Sequence, residues 1–500
     1  MKFILKYISL IALIMLFVTC VDDYLDVNTD PNNATTVSPD LVLPVAMTYT
    51  AEIIQGAKRM NTIGNVMMYN WSQADGFSLY TEEFRYKITP SFYQGIFNDS
   101  YLRALKQYSV LENLDDGYDY YVAIAKIMQS YHFQLLVDFY GDIPYFEAIQ
   151  RGVEATPKYD DAQTIYEDLI VELSEAIRII NNASQIAVQP GNDDIMFGGN
   201  MDEWKRFANT VKLRILTRQM SMTGRGDYIS KEIAVIITEG FGFITDDVGI
   251  NPGYLLEEGK QNPMWDCLGW TVGGEVTLGN NATCATDYLI NFLWSTNDPR
   301  IDFIYEEPET GHLGVSQGYL CCFGDCPPIY VPNVVSNIGP GILKSHNMDA
   351  IIFSLAESYF NQAEAIQRNF LIGNAKTAYE SGIEASFDYL GASGASDYYS
   401  QSINIVGWND SDNPIETIIT QKWIALNSIT AEQSWFDYNR TGYPNPDELS
   451  YSSAGLPVSI YAITNDRPVR LAYPTSEILF NGSNVPDQPD AFTDKIFWGL

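Results

Sequence analysis

The sequence predicts a mainly α-helical protein, in which tetratricopeptide-like helix hairpins form a scaffold that long, irregular, loop-rich insertions interrupt. Three observations predict this fold class. A paired helix pattern covers Ile351–Leu390, and further amphipathic stretches recur along the chain. In contrast, Phe241–Asn347 is rich in Gly, Pro, Asn and aromatic residues and shows little helical period. With 500 residues, of which 46% are hydrophobic, the chain can bury a large core.

The segment Ile351–Leu390 is the clearest architectural pattern. Leu371–Asn374 interrupts it with a Gly and an Asn, which suit a left-handed helix end. Small residues in the second helix let two helices approach closely, so a hairpin is favoured over an isolated helix. The apolar face of the first helix comprises Phe353, Ala356, Phe360, Ala363 and Phe370, and the small-residue row of the second comprises Ala378, Gly382 and Ala385.

The N-terminus reads as a secretory leader with a lipid-attachment site. Lys2 and Lys6 precede an apolar run, Tyr7–Thr19, which is shorter than the roughly 20 residues that span a bilayer. The run ends at Cys20 in a loose lipobox, Leu-Phe-Val-Thr-Cys, so Cys20 is the predicted lipidation site; the alternative is a plain leader followed by an ordinary cysteine. The stretch Asp22–Pro44, rich in Asn, Asp, Thr and Pro, is predicted to be an extended tether.

Helices follow in order along the mature chain. We expect helical structure from Val45 to about Leu114 with a polar-aromatic interruption, then Tyr120–Phe139, a helix ending near Asn181, and a scaffold helix within Asp194–Met222. Later helices are expected near Ala285–Trp294 and in Ile415–Pro444. The predicted division has a leader at residues 1–19, a lipidated tether at 20–44 and one domain at 45–500. Within the domain we distinguish four parts: 45–240, 241–347 (the insert), 348–445 and 446–500.

Several polar residues in these helices are expected to be structural. Asp138 and Asp142 lie beside a Gly/Pro break, and turn capping is favoured over a carboxylate pair. His132 lies between aromatic residues and is expected to be a core histidine. Asp437 and Arg440 are predicted to form a salt bridge, with a ligand clamp as the alternative. The basic residues of the scaffold helix, Lys205, Arg206, Lys212 and Arg214, are expected to be solvated or paired.

The charge limits the classes of partner. A formal net charge of −34 without a basic patch makes nucleic acid an unfavourable partner, and it disfavours strongly acidic cargo as well. Five cysteines besides Cys20 cannot all pair with one another, so one or two local disulfides are predicted, with a structural zinc near His312 as the weaker alternative; their pairing stays open. These five are Cys267, Cys284, Cys321, Cys322 and Cys326. No cofactor and no metal site is predicted.

Aromatic residues supply the candidate binding surface. Phe, Trp and Tyr make up 13% of the chain, and 33 residues are Tyr, which suits stacking on uncharged polar ligands. Rings between Trp71 and Tyr86 follow no helical face, so some of them are expected to be exposed. The insert carries more rings, among them Trp294 and Tyr330, although each single ring is more often core than ligand contact. The ligand-binding candidates are Trp71, Phe77, Tyr80, Trp265, Trp270 and Tyr319.

Five phrases resemble the SusD/RagB family of nutrient-binding outer-membrane lipoproteins. They are LDVNTDPNNATTVSPDLVLP; IAKIMQSYHFQLLVDFYGDIPYFEA followed by YDDAQTIYEDLI; DIMFGGNMDEWKRFANTVKLRILTRQM; LAESYFNQAEA with AYESGIEAS; and QKWIAL with W-x-D-x-x-RTGYP and RPVRLAYPTSEILFNGSN. The resemblance runs from about Tyr24 to Trp498. It implies a surface lipoprotein that captures oligosaccharides or peptides and acts with a SusC-like TonB-dependent outer-membrane transporter, over which it sits as a hinged lid.

The resemblance implies binding without catalysis. No HExxH, P-loop or dinucleotide fingerprint appears in the sequence, although its 63 acidic residues leave a glycosidase carboxylate pair open. Two alternatives therefore stand beside the nutrient receptor: a surface-anchored glycan hydrolase, and a tetratricopeptide-type adaptor for other proteins. The ligand itself cannot be read from the chain, because loop geometry decides it.

Overall fold

The computed structural model describes residues 38–150, 153–319, 329–445 and 456–500, and these residues are mainly helical. In the first half the helices are α1 (Pro39–Gln55), α2 (Met60–Met67), α3 (Thr81–Phe84), α4 (Gln94–Asp99), α5 (Lys106–Glu112), α6 (Asp119–Tyr140), α7 (Ala162–Asn182), α8 (Met201–Gln219) and α9 (Gly226–Glu239). In the second half they are α10 (Pro263–Leu268), α11 (Leu278–Ala282), α12 (Asp287–Ser295), α13 (Ile301–Ile304), α14 (Leu355–Gln367), α15 (Ala375–Leu390), α16 (Ala395–Tyr399), α17 (Pro414–Leu426), α18 (Ala431–Thr441) and α19 (Thr475–Phe480).

Neighbouring long helices pack as hairpins around one apolar core. Helix α6 packs on α7, α7 on α8, and α14 on both α15 and α17, while α18 packs against α2. The cluster of buried apolar residues extends from Val42 to Trp498. Among the residues that the structure describes, no helix combines the length and the apolar character that a bilayer crossing requires.

Three short antiparallel strand pairs connect distant parts of the chain. β1 (Trp71–Gln73) pairs with β5 (Thr283–Ala285), so Ser72 lies opposite Cys284. β2 (Ile143–Pro144) pairs with β3 (Tyr159–Asp160), and β4 (Val248–Ile250) pairs with β6 (Ala350–Phe353) across a bulge. The β4–β6 pair brings the two ends of the loop-rich insert together, and β1–β5 attaches that insert to the segment after α2.

The tetratricopeptide-like hairpin is confirmed in α14 and α15, with two corrections. Phe353 belongs to β6 rather than to the first helix, because its backbone pairs with Val248. The left-handed residue after α14 is Asn369 (φ 64°), whereas Asn374 caps α15 by accepting a hydrogen bond from the Thr377 N–H at 3.3 Å. The close approach at Gly382 is present: a methyl group there would lie 2.9 Å from the Phe360 ring.

The predicted tether ends earlier than expected. Helix α1 begins at Pro39, a position where proline's fixed φ suits the first helical turn, and it continues through Pro44. Pro44 removes one backbone donor from the helix. The neighbouring residues Leu43, Ala46 and Met47 are fully buried, and their burial offsets that loss. The rest of the tether, Cys20 and the leader lie outside the described residues.

Buried charges connect the long helices. Arg218 of α8 lies 2.6 Å from Asp437 of α18 and 3.4 Å from Asp138 of α6, so Asp138 is part of a buried ion pair and does not cap a turn. Asp142 does cap, since it accepts the Ala162 N–H at 2.9 Å. The predicted Asp437–Arg440 ion pair is confirmed at 2.8 Å.

Further cations surround the same carboxylate. Burial alone would raise the pKa of Asp437, but the neighbouring Lys422, Arg440 and Arg218 hold it well below its usual range. Lys212 and Arg214 are also buried, so of the two expected states, solvated or paired, pairing holds for them. Lys212 pairs with Glu239 at 2.5 Å, and Arg214 lies 3.6 Å from Glu357 with its guanidinium over the Phe353 ring.

Candidate functional site

The strand pair β1–β5 gathers four of the six candidate aromatic residues from distant parts of the sequence. Trp71 lies on β1, and the Tyr80 hydroxyl is 2.8 Å from Thr283 Oγ1 on β5. Phe77 and Tyr319 are half-buried and pack against a small apolar cluster beside this pair, formed by Ala74, Cys284, Val315 and Val335. The Tyr319 ring also meets Tyr330 edge-on at 5.1 Å.

Trp71 and Tyr80 are not exposed rings. Their relative exposures are 1% and 2%, and Phe84 and Tyr86 are fully buried as well, so the expectation of exposure is wrong for these four. The Trp71 indole N–H donates to Ser428 Oγ at 2.9 Å. Helical spacing could not reveal this burial, because the insert that covers these rings lies about 200 residues later in the chain.

Trp71 and Tyr80 instead line a small pocket of about 170 Å³. The opposite wall comes from α10 and α11 and includes Met264, Cys267, Leu268 and Gly279. This volume is below the roughly 300 Å³ at which ligand pockets usually begin. The pocket is therefore small for a ligand site.

Trp265 and Trp270 are two partly buried candidates whose rings lie side by side. Both are half-buried, their ring centroids are 4.9 Å apart, and their planes are tilted by 39°. Helix α10 is fixed by Asn262, whose side chain accepts the N–H groups of Met264 and Trp265 at 2.9 and 3.1 Å. The absence of a side chain at Gly269 lets the backbone before Trp270 lie close to the Trp265 indole, because a methyl group at Gly269 would be 2.7 Å from that ring.

Trp270 stands at the base of a small exposed hairpin. Its backbone forms a bridge with Val276, and within the turn Thr271 N–H donates to the Glu275 carbonyl at 2.8 Å. Gly274 has φ +83°, a left-handed conformation that favours glycine. We call Trp265, Trp270 and the hairpin 271–276 the tryptophan surface. It combines two aromatic rings with exposed carboxylates at Asp266 and Glu275.

A second surface was missed by the sequence reasoning. A groove of about 950 Å³ lies between α5, α6, α7 and the segment after β2. Lys126 of α6 spans it, with its Nζ 3.0 Å from Glu112 and 2.5 Å from Glu172. Burial would lower the pKa of this ammonium, but the two carboxylates raise it overall. The Phe146 ring, 49% exposed, lies at the edge of this Lys126 groove.

The polar residues of the Lys126 groove are fixed by hydrogen bonds. Gln129 Nε2 donates to Glu112 at 2.8 Å, and the Tyr145 hydroxyl donates to Asp168 at 2.8 Å. In the sequence these polar residues fall on the predicted solvent-facing sides of three separate helices. Helical periodicity therefore gives no sign that they line one groove. Only the adjacent Tyr145 and Phe146 after a Gly/Pro break hint at a surface.

One motif relevant to the hydrolase alternative was also overlooked: residues 314–318 read Gly-Val-Ser-Gln-Gly, a Gly-x-Ser-x-Gly match. A nucleophile elbow needs a strand-turn-helix context and a histidine base. The segment is irregular here, and the Ser316 hydroxyl donates to Asp287. Gln317 is fully buried and donates to the carbonyls of Val66 and Trp71, so the segment has a structural role.

Cysteines and histidines in the described residues are mostly structural. Cys267 and Cys284 are free thiols, and burial raises the pKa of Cys267 to about 12, which makes it unreactive. Cys321, Cys322 and Cys326 lie outside the described residues. His132 is a core histidine, as predicted: its Nε2 is 2.8 Å from Thr50 Oγ1, and burial lowers its pKa to about 3.

Comparisons with known proteins agree on the fold. A chitin-binding protein of known structure matches with a TM-score of 0.72 at 22% identity, covering 93% of this chain and 100% of that one. A chitin-binding SusD homologue from Flavobacterium johnsoniae matches with 0.70 at 21% identity (92% and 98% covered). A SusD homologue from Bacteroides thetaiotaomicron matches with 0.71 at 19% identity (93% and 99% covered).

Two further comparisons concern the sequence. No curated protein matches the chain. The model of a SusD-like family, described as starch-binding and associating with the outer membrane, matches residues 31–474, which is most of the chain. The protein therefore belongs to this SusD-like family.

Proposed function

We propose that this protein is a cell-surface lipoprotein that binds oligosaccharides on the tryptophan surface and delivers them to a SusC-like TonB-dependent transporter. The observation that carries the proposal is the partly buried Trp265–Trp270 pair at the base of an exposed hairpin. Sugar rings have apolar faces that stack on indoles, while carboxylates such as Asp266 and Glu275 accept hydrogen bonds from hydroxyl groups.

The relatives support a carbohydrate as the ligand class. The family model is described as starch-binding, and two of the similar structures are described as chitin-binding. A net charge of −34 also favours a neutral ligand over an acidic one. Peptide cargo is the second possibility. Phe77 and Tyr319, which are half-buried against the small apolar cluster beside β1–β5, remain predicted ligand contacts in addition to the tryptophan surface.

Calorimetric titration of the purified mature chain with chitin and starch oligosaccharides tests the binding site. Trp265→Ala and Trp270→Ala are each expected to weaken binding at least tenfold, which corresponds to about 1.4 kcal/mol, because each removes a stacking ring. Trp294→Ala is the matched control, since this tryptophan is 51% exposed but lies on α12. It is expected to leave the affinity unchanged.

Three results would contradict the proposed binding site. Unchanged affinity in both tryptophan variants, together with a loss in Phe146→Ala, would assign binding to the Lys126 groove. A large drop in melting temperature with unchanged affinity would make Trp265 and Trp270 core residues. Failure of every chitin, starch and peptide ligand to bind would favour the protein-interaction adaptor.

The protein is proposed to bind without catalysis. Incubation of the purified chain with starch and chitin oligosaccharides, followed by chromatography, is expected to return the oligosaccharides unchanged. Release of shorter products would favour the glycan hydrolase. Because Ser316 lies in the Gly-x-Ser-x-Gly stretch, loss of such products in Ser316→Ala would identify it as a nucleophile.

The anchor and the partner need separate tests. A clickable palmitate analogue is expected to label the wild type and not Cys20→Ser, and protease added to intact cells should digest the labelled protein if it faces the exterior. The lipidated form is expected to co-purify with a SusC-like transporter. An unmodified Cys20 thiol on a protein free in the periplasm would contradict the proposed anchor and location.

A further inference from the structure

We infer that Asp302, Glu307 and His312 form a binding site for a divalent transition-metal ion of the zinc class. One carboxylate oxygen of each acid and one imidazole nitrogen lie within 4.8 Å of one another. Zinc binds imidazole nitrogen and carboxylate oxygen at about 2.0–2.2 Å, so ligand atoms on one ion are separated by roughly 3–4 Å. Because both carboxylates are exposed, rotation of their side chains can close the remaining distance.

His312 is the rigid member of the cluster. It is only 7% exposed, and its Nδ1 is 3.0 Å from the Ser336 hydroxyl oxygen. That oxygen also accepts the Leu313 N–H at 3.0 Å, which fixes it in place. The other ring nitrogen, Nε2, is directed at Asp302, 2.9 Å from its Oδ1. Metal-binding histidines usually have such a partner on the second nitrogen, which orients the ring.

The three ligands come from a single stretch of eleven residues. Asp302 lies on α13, and Glu307 follows the bridge between Tyr305 and Ile338. A turn then reverses the chain, with the Gly311 N–H donating to the Pro308 carbonyl at 2.9 Å and Gly311 at φ +86°. The positions of the three ligands are therefore determined within this stretch. Ser336, which orients the His312 ring, is the supporting residue from elsewhere in the chain.

Charge and ligand type determine the class of ion. Neither Asp302 nor Glu307 forms an ion pair with a lysine or arginine in the part of the chain that the structure describes, so their negative charge is uncompensated there. Two carboxylates attract a dication, and an imidazole ligand favours zinc-class ions over calcium and magnesium, which prefer oxygen. This site uses His312 with oxygen ligands, unlike the cysteine-rich zinc site considered from the sequence.

Zinc titration of the full mature chain, with its thiols alkylated by iodoacetamide, tests the inference by calorimetry. We expect one zinc per chain, and Asp302→Asn, Glu307→Gln and His312→Gln should each weaken binding at least tenfold. His346→Gln is the matched control, because this half-buried histidine lies outside the cluster, and it should bind as the wild type does. Trp294, whose ring meets His312 edge-on at 6.5 Å, should report zinc by fluorescence quenching.

The opposite results would overturn the site. Wild-type affinity in Asp302→Asn and Glu307→Gln, whose exposed side chains can change without unfolding the protein, would exclude it even if His312→Gln fails to fold. Loss of zinc binding on alkylation would assign zinc to the cysteines. Calcium binding of equal strength would overturn the zinc-class assignment.

Discussion

Gly382→Ala tests the close packing of the α14–α15 hairpin. The added methyl group would lie 2.9–3.0 Å from three ring carbons of Phe360, whereas carbon atoms prefer about 3.5–4.0 Å. The Phe360 ring cannot withdraw, because it is fully buried and lies 6.1 Å from the Tyr379 ring. Overpacking costs about 1–3 kcal/mol, while alanine improves helix propensity by about 1 kcal/mol. The expected net loss in unfolding free energy is therefore about 1 kcal/mol.

Urea unfolding followed by circular dichroism measures this loss. Gly226→Ala is the control, since Gly226 also lies in a helix but has no atom within 4 Å of the added methyl group. It should be neutral or stabilising by up to about 1 kcal/mol. If Gly382→Ala were as stable as Gly226→Ala, the two helices would not be in the contact that we describe.

Three further predictions concern buried charge. Arg440→Met removes the bidentate partner of Glu364 and should cost about 3–5 kcal/mol in urea unfolding. Arg178→Met, at an exposed pair, should cost far less, and equal costs would contradict the buried network. Burial raises the pKa of Glu432 from 4.5 to about 7, so wild-type stability is lost as pH rises through that window, by up to about 1.4 kcal/mol per pH unit. Glu432→Gln should flatten this dependence of stability on pH, and an unchanged slope would refute the burial effect at Glu432. Burial lowers the pKa of His132 from 6.5 to about 3, so stability is lost as pH falls through that range, which is the opposite direction to Glu432. His132→Gln should flatten this loss of stability at low pH. Identical pH profiles for the variant and the wild type would count against the burial effect.

Local patterns in the sequence account for most of the helical scaffold. The predicted helix Tyr120–Phe139 matches α6 (Asp119–Tyr140), and the predicted hairpin lies at α14 and α15. Helix period and capping depend on residues three or four apart, so they are readable from one sequence. Phe353 was misplaced because its strand partner, Val248, lies about a hundred residues earlier, and no local rule reports that pairing.

The candidate site was predictable only in part. Aromatic residues in an irregular insert predicted a binding surface, and the structure places Trp265 and Trp270 together as a partly buried pair. The same reasoning could not separate them from Trp71 and Tyr80, which are buried. Ring chemistry is identical in both cases, and exposure depends on which distant segment covers each ring.

The sequence by itself determined the helical fold class, the hairpin and the family resemblance, because these depend on short-range spacing and on whole phrases of residues. Only the tertiary structure decided which aromatic rings are exposed, where the Lys126 groove lies, and that Arg218, Asp138 and Asp437 meet in the core. The physical reason is that burial and charge pairing are set by contacts between residues far apart in the chain.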